Sequence, residues 1–327
     1  MDLHPALVFL GGLVLLVIGS EFILRSSSKI AAMLGLKPII IGLTVVSIGT
    51  SMPELAVGIT AVSEGRGAMA VGNIAGTNML NILFILGLSA AIRPLKLQLL
   101  NLKLDVPVMI AAAIVLFLMS LNGILSRLEG AILFGGAIVY TVFLIRLTRK
   151  ETAKMRKEFA EEFSKEVLVE RPGALALTAN AFLLILGIAI AILGADFLVA
   201  GAVNIAVALG VSDAVIGLTI VAIGTSAPEL VTTIIATAKD DRDVAVGNLI
   251  GSSISNILVI LGLTCIAAPN GVDVSTDVLW LDLPLAAGVA IACYPVFRSN
   301  QRVSRIEGIV FVSVYLIYLG TLVFVRA

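Results

Sequence analysis

Ten runs of apolar residues, most of them about as long as a bilayer is thick, alternate with short charged breaks, and this pattern decides what the chain can fold into. A helix needs roughly 20 apolar residues, at about 1.5 Å rise each, to cross the hydrocarbon layer. The runs lie near 5–24, 38–63, 68–92, 104–121, 128–145, 174–200, 213–238, 244–268, 279–297 and 306–325. Barrel strands would instead read as short segments of alternating polarity. Lipid cannot satisfy an open backbone, so continuous apolar runs predict helices. Composition agrees. Of 327 residues, 59% are apolar and 13% charged, against roughly 45–50% and 25% in a soluble protein. The first run has no basic stretch before it and exceeds the length of a secretory core, so it is read as the first span.

The same composition removes several functions. His4 is the only histidine, and both cysteines, Cys265 and Cys293, sit inside apolar runs. Zinc or haem ligation, a disulfide framework and Cys-His catalysis therefore lack their parts. No HExxH motif occurs, and His4 leaves no intramembrane Ser-His pair, so the chain is not expected to be an enzyme. With 22 basic and 22 acidic residues and no basic patch outside the loops, it offers no footprint for nucleic acid. No bound cofactor is expected.

Ten spans place both termini on one side of the membrane, which allows the basic residues to be sorted between two faces. The odd-numbered connections hold 19 of the 22, including eight between Arg146 and Arg171; the other face holds Arg66, Arg127 and Arg326. The positive-inside bias then predicts outward-facing termini and a cytoplasmic 146–171 linker in the plasma (inner) membrane. Lys154 with Glu158 and Lys157 with Glu161 would support a solvated linker helix. Three parts are expected: 1–145, the charged linker 146–173, and 174–327.

The two large parts are copies. Residues 42–87 align without a gap on 217–262, with 24 identities in 46 positions. The same offset pairs Gly12 with Gly187, Gly19 with Gly194 and Phe22 with Phe197, and Ser126-Arg127-Leu128-Glu129-Gly130 returns as Ser304-Arg305-Ile306-Glu307-Gly308. Five spans is an odd number, so the second copy should be inverted in the membrane relative to the first. Inverted repeats are a transporter architecture, with discontinuous helices building the site near the midplane.

The best-matched segments are also the polar ones. Ser47, Thr50, Ser51 and Glu54 fall three and four residues apart on one face of the second span, and Ala222, Thr225, Ser226 and Glu229 repeat the set in the seventh. Pro53 and Pro228 have no N–H, which frees the carbonyls of Gly49 and Gly224 and predicts broken second and seventh helices. Asn73, Thr77 and Asn81 stripe the third span, as Asn248, Ser252 and Asn256 stripe the eighth. Gly72 with Gly76 and Gly247 with Gly251 make close-packing pairs. For Asn81 and Asn256 the residues alone leave two roles open, ion ligand or interhelical hydrogen bond. The other acids near span ends (Glu21, Asp105, Glu129, Asp196, Asp282 and Glu307) read as interfacial or packing groups.

A carboxylate at the bilayer centre costs about 2.5–3.5 kcal/mol on insertion scales, and such residues mark ion or proton paths. Carboxylate, hydroxyl and carbonyl oxygens without nitrogen or sulfur suit hard cations, Ca²⁺ or Na⁺, above zinc or copper. Glu54 and Glu229 carry two negative charges, which one Ca²⁺ or two Na⁺ cancel; three Na⁺ would leave one positive. Either cargo neutralises the pair and permits crossing, while the empty site resists it. Exchange rather than leak is expected, slowing in acid.

At these residues the chain resembles the cation/calcium exchanger superfamily, most of all prokaryotic sodium/calcium antiporters, over essentially its full length. The doubled Gly-Thr-Ser-x-Pro-Glu and GNxxGxxxxN motifs carry the resemblance. It implies ten helices, sliding of the first and sixth, and Na⁺-driven Ca²⁺ extrusion. It further implies Glu54 and Glu229 as central carboxylate ligands, Thr50 and Thr225 at the calcium site, and Ser47, Ser51, Thr77, Ala222, Ser226 and Ser252 at flanking sodium sites, with Asn81 and Asn256 completing the centre. Some members carry an aspartate where this chain has Asn256, and the amide weakens a potassium requirement. The proton-coupled branch resembles GNxxE, whereas Gly76 and Gly251 stand here, which favours Na⁺ over H⁺ as the coupling ion. A proton/calcium exchanger is the alternative, and a passive cation channel the rival from another class.

Overall fold

The computed structural model describes residues 4–34, 38–97, 101–150, 174–208 and 222–326. The charged stretch 151–173 and the first part of the seventh expected span lie outside the described residues. The chain is almost entirely helical. In chain order the helices are α1 (Pro5–Leu34), α2 (Gly42–Thr50), α3 (Met52–Ser63), α4 (Gly67–Ile92), α5 (Leu102–Asn122), α6 (Arg127–Lys150), α7 (Ala174–Ala208), α8 (Ala222–Thr225), α9 (Ala227–Ala238), α10 (Arg242–Ala267), α11 (Val278–Ser299) and α12 (Arg305–Arg326). Among the described residues seven are long and apolar enough to cross a membrane, and the bent pair α2 and α3 makes an eighth. α1 and α7 outrun their apolar sequence limits by ten and eight residues respectively, because polar Ser26, Ser27 and Ser28 and Asn204 continue the helix.

The break in the second span follows from its proline. Ser51 has φ −84° and ψ 11°, outside helical geometry, and Pro53 occupies the second position of α3, where a missing N–H removes no bond. The axes of α2 and α3 differ by 48°. Ser226, at φ −90° and ψ 11°, repeats the break before α9 and Pro228. Wider π-helical turns interrupt α4 at Leu80–Leu86 and α10 at Asn256–Leu261. They recur at equivalent places in the two copies, a feature with no signal in the apolar pattern.

α4 and α10 form the enclosed centre: 72% and 83% of their most apolar windows are buried, against 33% and 28% for α1 and α7. The remaining elements pack around them in reciprocal pairs. Gly87 in α4 meets Gly308 in α12, where a Cβ on Gly308 would lie 2.5 Å from the Gly87 carbonyl; Gly262 in α10 meets Gly130 in α6 in the same way, at 3.1 Å. Short strands follow suit. β1 (Leu95–Lys96) pairs antiparallel with β4 (Arg302–Val303), and β2 (Ile124–Leu125) with β3 (Val272–Asp273). Each half thus contacts in the other half the counterpart of what its own counterpart contacts.

Several acids take the packing roles expected of them. The Tyr140 hydroxyl donates to Asp105 at 2.8 Å and the Tyr318 hydroxyl to Asp282 at 3.3 Å, tying α5 to α6 and α11 to α12. Glu129 accepts from the Ser126 N–H at 2.7 Å and Glu307 from that of Ser304 at 2.7 Å, so each repeated Ser-Arg-x-Glu segment is a capping box opening α6 or α12. Glu21 pairs with Arg25 and Lys239, while Asp240 pairs with Arg93 at 3.2 Å and Arg242 at 2.6 Å. Basic residues of the first, third and seventh connections therefore gather at one end of the bundle. Nearby Asp241 caps α10 and accepts from Ser28 at 3.2 Å; burial raises its carboxyl above the ordinary range.

α1 and α7 cross at glycines. A Cβ on Gly12 would lie 2.4 Å from the Leu198 nitrogen, and one on Gly194 2.7 Å from that of Leu16. Gly19 and Gly187 repeat the contact one step along. The neighbouring Gly11 faces open space, with no atom within 4 Å. Gly12→Val is therefore expected to lower the thermal midpoint of the detergent-purified protein by overpacking worth about 1–3 kcal/mol, whereas Gly11→Val leaves it little changed. Equal behaviour of the two variants would contradict this contact.

Candidate functional site

Each broken span delivers its glutamate at the third residue of a new helix. Glu54 and Glu229 lie in the first turns of α3 and α9, where unpaired N–H groups and the helix dipole favour negative charge. Both are completely buried. Neither faces lipid.

The two breaks are braced across each other. The Ser51 hydroxyl donates to Glu229 Oε1 at 3.1 Å, and the Ser226 hydroxyl donates to Glu54 Oε1 at 3.3 Å. Each serine thus serves the carboxylate of the opposite half, not the one three residues along its own chain. Thr225 lies against the Glu54 carboxyl, and Thr50 and Ser252 lie against that of Glu229. The carboxyl groups are near enough for their charges to interact. Two glutamates 175 residues apart in sequence form one cluster.

The surrounding polar groups come from α2, α4, α9 and α10. The Thr50 hydroxyl contacts Asn248 Oδ1 at 3.3 Å, and Asn248 donates onward to Thr233 at 3.3 Å. The Ser252 hydroxyl donates to the Ser47 carbonyl at 3.5 Å, while Ser47 turns its own hydroxyl to the Leu43 and Thr44 carbonyls, each at 3.0 Å. Thr77 is buried one turn before Asn81 in α4, and Ala222 opens α8. Asn256 donates to Asn78 Oδ1 at 3.1 Å. The structure therefore joins Ser47, Thr50, Ser51, Glu54, Thr225, Ser226, Glu229 and Ser252 directly, whereas Asn256 bonds to Asn78, which bonds in turn to the Ser253 carbonyl and not to the cluster.

Four polar residues on the same helices lie outside the expected set. Asn248 belonged to the polar stripe without a role of its own. Thr232 and Thr233 follow Glu229 by three and four residues, on the same face of α9, and Thr232 meets the Ser20 hydroxyl at 3.1 Å. Their counterparts in the first half are Val57 and Gly58, so a search for repetition passes over them. Helical spacing from Glu229 was the available signal. Asn78 likewise has a different residue, Ser253, at its equivalent position.

Buried oxygens remain for a cation. Among the described residues Glu54 Oε2, Glu229 Oε2, Asn81 Oδ1 and Asn256 Oδ1 are enclosed and meet no hydrogen-bond donor. Burying such acceptors without a partner is costly, and a hard cation with oxygen ligands supplies the missing partner. Cys265 and Cys293 are buried elsewhere, Cys265 against Gly130, so sulfur does not enter the set. Among the described residues no three of His, Cys, Asp and Glu come together. Two carboxylates amid neutral oxygens define the chemistry.

Comparison with known proteins agrees. The family model described as sodium/calcium exchanger protein matches residues 4–146 and 179–324. The chain belongs to the sodium/calcium exchanger family. The sodium/calcium exchanger MaX1 of Methanosarcina acetivorans is 33% identical over 348 aligned residues, covering 98% of both chains. The inner membrane protein YrbG of Escherichia coli is 33% identical over 326, covering 98% of this chain and 97% of that one. A solved structure of the sodium-calcium exchanger NCX_Mj, soaked with Na⁺ and Sr²⁺, superposes with a TM-score of 0.82 at 28% identity, covering 98% and 99%. This exchanger is accordingly a multi-pass membrane protein of cation exchange, not an enzyme.

In the exchanger the braces are predicted to matter for cation affinity. Ser51→Ala and Ser226→Ala should each weaken stabilisation by Ca²⁺, followed as a thermal shift during titration, by about three- to tenfold, the worth of one hydrogen bond. Ser63→Ala removes only a hydroxyl bonded to the Thr60 carbonyl on an exposed turn and should leave the titration unchanged. A Ser51→Ala titration matching that of Ser63→Ala would contradict the assignment.

Proposed function

We propose that the chain is a secondary active antiporter that exchanges Na⁺ for Ca²⁺ at a single site near the membrane midplane, by alternating access. The observation that carries this reading is the reciprocal brace, Ser51 to Glu229 and Ser226 to Glu54. It makes one cluster of two carboxylates from two halves, and one Ca²⁺ cancels that charge. Glu54 and Glu229 hold the divalent ion with Thr50, Thr225, Asn81 and Asn256. Ser47, Ser51, Thr77, Ala222, Ser226 and Ser252 supply the flanking oxygens, carbonyl oxygen in the case of Ala222, to Na⁺.

The reading takes the fold as ten spans in two inverted five-helix repeats, and the reciprocal contacts between halves support it. The glycine crossing of α1 and α7 brings two backbones into close contact, a geometry suited to sliding past the fixed site. Ca²⁺ leaves the cell as Na⁺ enters. The clustering of basic residues at one end supports a cytoplasmic linker and outward termini in the plasma membrane.

Vesicles loaded with Na⁺ and diluted into Na⁺-free medium containing radiolabelled Ca²⁺ test the proposal. Uptake is expected only while the Na⁺ gradient lasts, and Glu54→Gln or Glu229→Gln is expected to abolish it. Uptake indifferent to internal Na⁺ would indicate a channel, and uptake driven instead by a pH gradient would indicate proton exchange. Undiminished uptake by Glu54→Gln protein would overturn the site itself.

A further inference from the structure

We propose that Asn78 is a positioning residue that fixes the amide of Asn256, so that one half of the site presents a preset carbonyl oxygen to the cation. The proposal rests on the functional reading above. The reasoning starts from a backbone carbonyl. Asn78 Nδ2 donates to the Ser253 carbonyl at 3.0 Å, an atom that can only accept. This fixes which end of the Asn78 amide is its oxygen. Asn256 Nδ2 then donates to that oxygen at 3.1 Å. Its own Oδ1 is left over, buried and without a donor among the described residues.

That oxygen lies on a helix that already reaches the cluster. Asn256 follows Ser252 by four residues, and Ser252 contacts the Ser47 carbonyl and the Glu229 carboxyl. Asn256 also begins the π-helical turn of α10 and is completely buried. Asn78 and Ser253 line a small cavity whose other walls are apolar, among them Ile74, Met109, Leu116 and Leu283. These walls offer the Asn78 amide no competing partner.

The other half lacks the device. The residue equivalent to Asn78 is Ser253, whose hydroxyl bonds to the Leu249 carbonyl in its own helix at 3.0 Å. Asn81, the equivalent of Asn256, accordingly has neither amide atom bonded among the described residues. The chain thus pairs a locked amide at 256 with an untethered one at 81. A cation meets one oxygen already aimed and another that turns to it.

Asn78→Leu keeps the number and branching of the side-chain heavy atoms and removes both hydrogen bonds. In reconstituted vesicles it is expected to raise the Ca²⁺ concentration for half-maximal exchange about three- to tenfold, as for one lost hydrogen bond, with the maximal rate changed less. In an Asn256→Ala background the same substitution should have no further effect. Should Asn78→Leu not fold, Asn78→Ser, which copies the second half, is expected to shift affinity in the same direction. An unchanged Ca²⁺ dependence, or an equal loss in both backgrounds, would overturn the positioning role. Wild-type protein that neither binds nor exchanges Ca²⁺ would overturn the functional reading, and the proposal with it.

Discussion

Two carboxylates share one water-poor interior, and the rest of the architecture is arranged around that difficulty. An ionised glutamate in lipid is costly, and two in proximity repel. The chain reduces the cost locally. Proline-started helices point their N-termini at the site, and serines from the opposite half donate to each carboxylate. These groups lessen the charge without cancelling it. In the proposed function, a cation of balancing charge completes the neutralisation.

The halves are alike in sequence and unlike where it counts. Glu21 pairs with Lys239, but the equivalent positions are Asp196 and Glu64, two acids that cannot pair. Gly49 packs against Ile188 and Gly224 against Val199, so both broken spans lean on α7. A strict two-fold partner for the first contact would be Leu13 in α1, which is exposed. The site joins them in being symmetric in outline and asymmetric in its amides. An exchanger with two ends facing different solutions has reason to hold its two halves in different arrangements.

Much of this was legible in the residues. Apolar run length located the seven membrane-length helices and the bent pair found among the described residues, and duplication pointed to Glu54 and Glu229 as a pair. The prolines located the breaks, and the structure puts those breaks at Ser51 and Ser226. Less was legible where repetition fails. Thr232, Thr233 and Asn78 serve only one half, so they leave no trace in a comparison of copies. Nor could spacing reveal that each serine reaches across to the other half's glutamate, because that depends on how the two bends face each other. The π-helical turns that carry Asn81 and Asn256 also escape notice, since a helix of 3.6 residues per turn and one with an inserted turn bury nearly the same apolar run.

Anomalous diffraction from crystals of this protein soaked in Sr²⁺, a heavier stand-in for Ca²⁺, is the most direct measurement of the central claim. The account predicts one strong peak between the carboxyl groups of residues 54 and 229, within ligand distance of both. A peak elsewhere in the membrane interior, or two glutamates turned away from each other with no ion between them, would contradict it.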